Sequence, residues 1–441
     1  MRDEVFMQLA ERFGTPTYVF DTGALQERAR KIEEIFGGGI TLCYSIKANP
    51  FLIPAVTPCV HRLEVCSPGE LSICESLHVD PQSIVYSGVC KRPADIKEAI
   101  AYGAGIYTAE SKSQFALLEQ GAKEAGKTIP VLLRLTAQSQ FGMSKEDLFH
   151  LIDQRADYPH LEIEGIHYFV GTQRKNRQLH RQKDELSMLG DLFREVKQEH
   201  GFVLRKLEYG PGLPVPLFAG DDFSDTLAPA REIADALREA ASFAEVTVEM
   251  GRFLATECGY YMTSVVDTKS ADGKDYCLVD GGINHVNYLG QIMGMKVPVI
   301  RHFVSSRVAE ENDNSLCTDT EKTGCPAETK TGRRQEDGTG RSASDEGCLY
   351  TQENPMDEAK TWAVCGSLCT TNDDLVRAAS FRDLHMGDLL VFENIGAYSV
   401  TEGIYLFLSR TMPRIVLYNK DSDAILARDF VETSPLNTIR N

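Results

Sequence analysis

Between residues 40 and 250 the chain alternates short apolar runs with amphipathic stretches. The runs are ITLCYSI (40–46), RLEVC (62–66), SIVYS (83–87), GIYTA (105–109), IPVLLRL (129–135), LEIEGIHYFV (161–170), FVLRKLEY (202–209) and AEVTVEM (244–250). They are rich in Val, Ile, Leu and Tyr and bounded by Gly, Pro or Ser, which predicts eight strands. Intervening stretches such as RPADIKEAIAYGA and SKSQFALLEQGAKEAGK carry a helical pattern. Ser67-Pro68-Gly69-Glu70 has the form of a capping box: Ser67 caps, Pro68 suits the first helical position and Glu70 can reach back. Eight strands separated by helices predict an α/β fold, a (β/α)8 TIM-type barrel over 25–254. An open doubly wound sheet is the rival. Its nucleotide-binding version is weakened because no Gly-x-Gly-x-x-Gly follows the first strand.

After residue 255 the pattern changes. YYMTSVVDTK, DYCLVDGG, WAVCGSLC, DLLVFENIGAYS and IYLFLS are β-like and lack long helical spacers. They predict a second, mostly antiparallel β-domain made of 1–24 and 255–441, joined by the strand YVF near residue 19. Residues 304–360 stand apart. No aromatic residue occurs between Phe303 and Tyr350, and Thr, Ser, Gly and charged residues dominate. Such a segment cannot bury enough surface to offset its ordering entropy, which predicts a mobile insertion.

Composition narrows the partners. The chain has 441 residues and a net charge of −18, which disfavours nucleic acid and anionic membranes. The opening MRDEVFMQLAERF reads as a short polar helix and not a secretion signal, and no stretch is apolar enough for a membrane span. The 12 cysteines are then expected to be reduced thiols of a cytoplasmic protein. Cys317 with Cys325, and Cys365 with Cys369, lack the close spacing and the histidine that zinc sites favour, so no metal is expected.

Active sites of such barrels lie at the carboxyl ends of the strands. The first strand ends in YSIKANP and places Lys47 at that rim. Gly171-Thr172 follows the sixth strand and Tyr209-Gly210-Pro211-Gly212 the seventh; turns of this kind let backbone N–H groups and a hydroxyl approach a phosphate. The eighth strand carries Glu249 and is followed by Gly251-Arg252. Singly, each feature reads as a surface lysine, a tight turn or an ion pair. Together, an amine, two glycine turns, a carboxylate and an arginine are the equipment that pyridoxal phosphate requires.

YSIKANP (44–50), SPGEL (67–71), GIHYFVGTQ (165–173), EMGR (249–252), CGSLC (365–369) and GAY (396–398) occur in this order. The series resembles the fold type III, alanine racemase-like barrel decarboxylases that use pyridoxal 5′-phosphate: the diaminopimelate, ornithine and arginine decarboxylase family. The resemblance implies an amino-acid decarboxylase acting as a homodimer with shared active sites. Lys47 would carry the cofactor as a Schiff base. Glu249 would keep the ring nitrogen protonated. Thr172, Gly210, Gly212 and Tyr398 would cradle the phosphate, with Arg252 reaching the phosphate or a substrate carboxylate. Cys369, from the partner subunit, would protonate the carbon that loses carbon dioxide.

Three departures stand out. Phe169 occupies the place of the family's ring-stacking histidine; it can stack but cannot titrate. His167, two residues earlier, reads as a core histidine. Thr370 replaces the acidic residue that usually follows the cysteine in diaminopimelate decarboxylases, and Asp280-Gly281-Gly282 continues as INHVNYLGQIMGMK without the family's substrate-gripping Arg-Pro-x-x-Tyr. These losses point away from diaminopimelate and toward another free or carrier-bound amino acid. Two rival functions are a racemase on the same fold and a non-catalytic pyridoxal-phosphate-binding protein. KANPF in place of KANAYG, together with CGSLC, favours decarboxylation over racemisation. The second domain and Cys369 argue against a mere carrier.

Overall fold

The computed structural model describes residues 1–174, 179–289, 294–305, 350–352 and 359–439. Eight parallel strands close into a barrel: β2 (Ile40–Ser45), β3 (Arg62–Val65), β4 (Ile84–Tyr86), β5 (Ile106–Ala109), β6 (Ile129–Arg134), β7 (Leu161–Phe169), β8 (Lys206–Gly210) and β9 (Glu245–Met250). Each expected run therefore forms a strand, although 202–205 lies outside β8. Closure comes from the β2–β9 pairing, with Ile40 opposite Val246 and Tyr44 opposite Met250. Cys43, Val85, Ile106 and Leu132 form an apolar cluster of their own. The other faces of the strands pack under the helices, where Leu25, Ala29, Ile32 and Phe36 are fully buried. Burial of each large apolar side chain contributes about 1.5–3 kcal/mol.

Local signals set the boundaries. Ser67 Oγ accepts the Glu70 N–H at 3.1 Å, as a cap does. Glu70 reaches back one residue further than the capping box requires, to the Cys66 N–H at 2.6 Å. The helix Thr22–Phe36 opens on Asp21, whose carboxylate accepts from the Ala24 amide.

The second domain is built on β1 (Thr17–Asp21), β10 (Gly259–Ala271), β11 (Lys274–Val279), β12 (Ile300–Ser305), β13 (Tyr350–Gln352), β14 (Lys360–Cys365), β15 (Asp374–Phe381), β16 (Leu389–Phe392), β17 (Arg414–Asn419) and β18 (Ser422–Arg428). One path runs β13-β12-β16-β10-β1-β17-β18; β11, β14 and β15 extend it from β10. Pairing is antiparallel except for β1–β17 and β11–β14. The YVF segment near residue 19 is the centre of β1, paired with β10 on one side and β17 on the other. The helix Asp3–Phe13 is less polar than its sequence suggests: Val5, Phe6, Leu9 and Phe13 are buried with residues of β10, β12 and β16.

Two expectations change. IYLFLS (404–409) forms no strand but a turn and a short 3-10 segment, with Leu408 at φ 57°. Its apolar side chains stay exposed, so the run lacks the sheet neighbours that sustain β structure. The ends of 304–360 are ordered strand, Ser305 pairing with Tyr350 and Val304 with Thr351. The rest of that expected insertion lies outside the described residues.

Candidate active site

Lys47 sits in a 3-10 turn, Ile46–Ala48, immediately after β2. The following Asn49 and Pro50 are explained by the fold. Asn49 Oδ1 accepts the Phe51 N–H at 3.1 Å and its Nδ2 donates to Gly396 O at 2.9 Å. The Tyr398 N–H donates to Ala48 O at 2.6 Å. YSIKANP and GAY, some 350 residues apart, are thus stitched together. Tyr398 is held at φ 68°, a costly conformation for a non-glycine residue that clusters at functional sites.

The Lys47 ammonium is ringed by acids. Its Nζ lies 2.7 and 2.9 Å from the two oxygens of Glu64 and 3.6 Å from Glu249 Oε1. Glu249 also accepts from Ser45 Oγ at 3.0 Å, and its Oε2 lies 3.0 Å from His167 Nε2. Burial works to strip the Lys47 proton, but Glu64 foremost, then Cys66 and Glu249, hold its pKa above the ordinary lysine value. Burial likewise opposes charge on Glu249, yet Lys47 and then His167 bring its pKa below the usual carboxylate range. Glu208, 2% exposed, is pushed well upward by burial and by its neighbours Glu249 and Glu64. Two like charges this deep cannot both persist, so Glu249 is the ionised member and Glu208 the neutral acid. Single donor atoms of His167, Glu208 and Glu249 fall within 4.8 Å of one another; the bonds from Ser45 and His167 commit Glu249 to an anionic role facing the cavity.

A cavity opens beside Lys47. Ser45, Lys47, Phe169, Gly171, Thr172, Gly212, Glu249, Gly251, Arg252 and Tyr398 line it, with Leu213, Met250 and Phe253. Seven of the residues expected from sequence meet there: Lys47, Phe169, Thr172, Gly212, Glu249, Arg252 and Tyr398. Two do not. Gly210 pairs with Phe169 in register, and a Cβ on it would lie 2.2 Å from the Phe169 ring; its smallness seats that ring instead of lining the cavity. Cys369 is exposed, on the turn between β14 and β15, and is absent from the lining of its own chain's cavity. Sequence reasoning missed Glu64, Cys66 and Ser45. Glu64 follows the apolar Leu63 in a plain strand pattern, and only barrel closure turns it toward Lys47. His167 is buried as expected, but it holds Glu249.

The lining suits pyridoxal phosphate. Arg252 is buried, stacked on the Tyr398 ring at 4.4 Å, and its Nε has no partner among the described residues. An unsatisfied buried guanidinium awaits an anion. Gly212 has φ 61° and a Cβ there would fall 2.0 Å from Gly171 O, so the two glycine turns pack closer than any side chain allows. Phe169 presents its ring to Lys47 with Nζ 5.9 Å from the centroid. A ring stacked on Phe169 would have an amine, a carboxylate and a phosphate cradle on its sides.

Residues 22–256 match the family described as pyridoxal-dependent decarboxylase, pyridoxal binding domain, and 335–396 match its C-terminal sheet domain. The chain belongs to the pyridoxal-dependent decarboxylases. It is a carboxy-lyase that uses pyridoxal phosphate, which decides against the racemase and carrier readings. Among its relatives, the L-glutamyl-[BtrI acyl-carrier protein] decarboxylase of Niallia circulans is 24% identical over 95% of this chain and 92% of that protein. The diaminopimelate decarboxylase of Pseudomonas aeruginosa is 29% identical over 63% of this chain and 70% of its own. The crystal structure of diaminopimelate decarboxylase from Methanocaldococcus jannaschii with L-lysine superposes with a TM-score of 0.77 at 20% identity, covering 98% of this chain and 93% of that one. Among the described residues no helix is long and apolar enough to cross a membrane.

Proposed function

We propose that this chain decarboxylates an α-amino acid presented on a carrier, with Lys47 as the cofactor-bearing amine. The observation that carries the assignment of the site is the convergence of Lys47, Glu249, Phe169 and Arg252 on one cavity. Pyridoxal phosphate supplies an electron sink for the carbon–carboxylate bond. The chain's own residues do the rest. Thr172, Gly171, Gly212, Tyr398 and Arg252 would hold the phosphate, and Phe169 would pack against the ring. Glu249, kept anionic by Lys47, Ser45 and His167, would hold a proton on the ring nitrogen. Glu64, with both oxygens on Nζ, takes the proton that Lys47 must lose to act as a nucleophile.

The substrate assignment rests on what is missing. Thr370 stands beside Cys369 where an acid would grip a distal ammonium. After Gly282 the chain offers Asn284, buried with both amide atoms unpartnered among the described residues, and His285, engaged inside the domain. No guanidinium is offered for a distal carboxylate there. A substrate whose far end is a tether needs neither contact, and a relative spanning nearly the whole chain is named for such a substrate. Carbon dioxide release from free D- and L-amino acids, diaminopimelate included, compared with the same acids on a carrier protein tests this. A high rate on free diaminopimelate overturns the tethered reading.

We assign Cys369 to the site of a second copy. It is exposed and outside its own cavity, while Ile404, Leu406, Phe407 and Leu408 present an apolar run, each at least 44% exposed, shortly after Tyr398. Such a run suits an interface between copies. Sedimentation should give a dimer. Mixing the inactive Lys47→Ala and Cys369→Ala chains should restore part of the activity; no recovery would place Cys369 elsewhere.

A further inference from the structure

The barrel rim holds a second buried amine that the reaction as described leaves unused. Lys91 closes the turn after β4 and is 7% exposed. Among the described residues its Nζ meets no carboxylate at ion-pair distance. It donates to Ser87 O, to Gly88 O at 2.5 Å and to Gln114 Oε1 at 3.4 Å, with the Tyr86 ring 5.8 Å away. An ammonium buried on neutral carbonyls is costly, and an apolar side chain of equal length would fill the same space without that desolvation. What the ammonium does there is grip one turn. That turn bears directly on the wall of the active site. Ser87 N–H donates to Val65 O at 2.8 Å, and Gly88, at φ 21°, lies so near Cys66 that a Cβ would be 2.2 Å from its carbonyl oxygen. Cys66 in turn donates to Glu64 Oε1 at 2.9 Å and has its Sγ 3.5 Å from Lys47 Nζ.

We propose that Lys91 is a positioning residue for Lys47: its ammonium clamps the 87–91 turn onto Cys66 and fixes the Glu64–Cys66 wall against which the reactive amine is held. The charge also matters. Lys91 lies in one electrostatic group with Glu110 just after β5, Arg134 at the end of β6, Glu64 of β3 and Cys66 just after it, and burial foremost lowers its pKa to about 8. Glu110 is committed to Arg134 and to the Gly142 N–H at 3.1 Å. Lys91 is therefore the cation of this group that loses its proton first as pH rises, loosening the clamp and removing a positive charge from the neighbourhood of Lys47.

The inference rests on Lys47 as the reactive amine, and it is tested without cofactor. In cofactor-free protein, acylation of Lys47 by an amine reagent is followed against pH by peptide mass spectrometry. Below pH 8, where wild-type Lys91 is charged, Lys91→Met and Lys91→Gln should be acylated at Lys47 about threefold more slowly than wild type, because a nearby positive charge no longer opposes the Lys47 proton; the difference should close above pH 8. Equal rates below pH 8 in a folded variant overturn the proposal. Should both variants fail to fold, the wild type decides: its Lys47 curve must carry a second inflection near pH 8, where Lys91 titrates, and a single inflection overturns the proposal. Borohydride trapping of pyridoxal phosphate on wild-type Lys47 is run alongside. Failure of the trapping sinks the assigned role of Lys47 and not the clamp.

Discussion

Two buried polar clusters in this molecule make opposite use of the same residue types. In the β-domain, His285 has both ring nitrogens engaged: Nδ1 accepts from Tyr261 OH at 2.8 Å and Nε2 donates to Thr411 O at 3.0 Å. Tyr18 OH closes the network on His285 O and Ser399 Oγ, each at 2.5 Å. At the barrel rim, His167 Nε2 meets Glu249 while its Nδ1 is unpartnered among the described residues. The arginines repeat the contrast. Arg28 is bonded to Phe253 O, Thr226 and Glu257, whereas the Nε of Arg252 has no partner among the described residues. A satisfied network lowers the energy of one arrangement and stops there. Loose ends and like charges left in a cavity hold capacity for a ligand. The difference separates scaffold from site.

Four variants would break or sharpen that contrast. Lys47→Ala should lower turnover by about ten thousandfold and abolish the visible absorbance of the bound cofactor, read by spectrophotometry and a stopped assay; retained absorbance would sink the site. Glu249→Gln should leave the cofactor bound yet cut turnover by about a hundred- to a thousandfold, since a neutral amide cannot hold the ring nitrogen charged. His285→Phe should do the reverse. It should cost about 1–3 kcal/mol in denaturant unfolding by orphaning Tyr261 and Thr411, with the cofactor spectrum unchanged; a lost spectrum would join the two clusters functionally. Arg252→Met should weaken cofactor binding by about ten- to a hundredfold with little change in melting temperature, because its Nε has no partner among the described residues.

The pH dependence of stability should also divide along this line. Burial lowers the His285 pKa to about 4 from the ordinary 6.5. The folded state then refuses a proton that the unfolded chain accepts. Its stability contribution is complete above pH 6.5 and is lost as pH falls toward 4, by about 3 kcal/mol in all. Glu208 has the opposite sign. Its folded pKa is raised, so its contribution is complete in acid and is lost as pH climbs above the ordinary carboxylate value. Glu208→Gln should therefore gain stability over wild type as pH rises, in urea titrations at several pH values; a gain that grows in acid would reverse the protonation assigned to Glu208.

Much of this is legible in the amino-acid sequence. Strand–helix alternation specified the barrel because the spacing of apolar runs is a local property that each segment carries by itself. Lys47, Gly212, Glu249 and Arg252 were legible because barrel chemistry collects at strand ends, and strand ends are marked by glycine and proline. Gly210 reads from sequence as part of the cradle, and in the structure its missing Cβ makes room for the ring of Phe169; a glycine beside a turn looks the same for either purpose. IYLFLS was misread as strand because apolar content alone does not supply a pairing partner.

What only the tertiary structure decided is which groups share a cavity and which carry charge. Glu64, Cys66, Lys91 and Glu208 lie in unremarkable strand or loop patterns. Their roles arise from burial next to residues distant in sequence, such as Lys47 and Glu249. Protonation in such a place depends on desolvation and on charges a few ångströms away, and those quantities do not exist until the barrel closes.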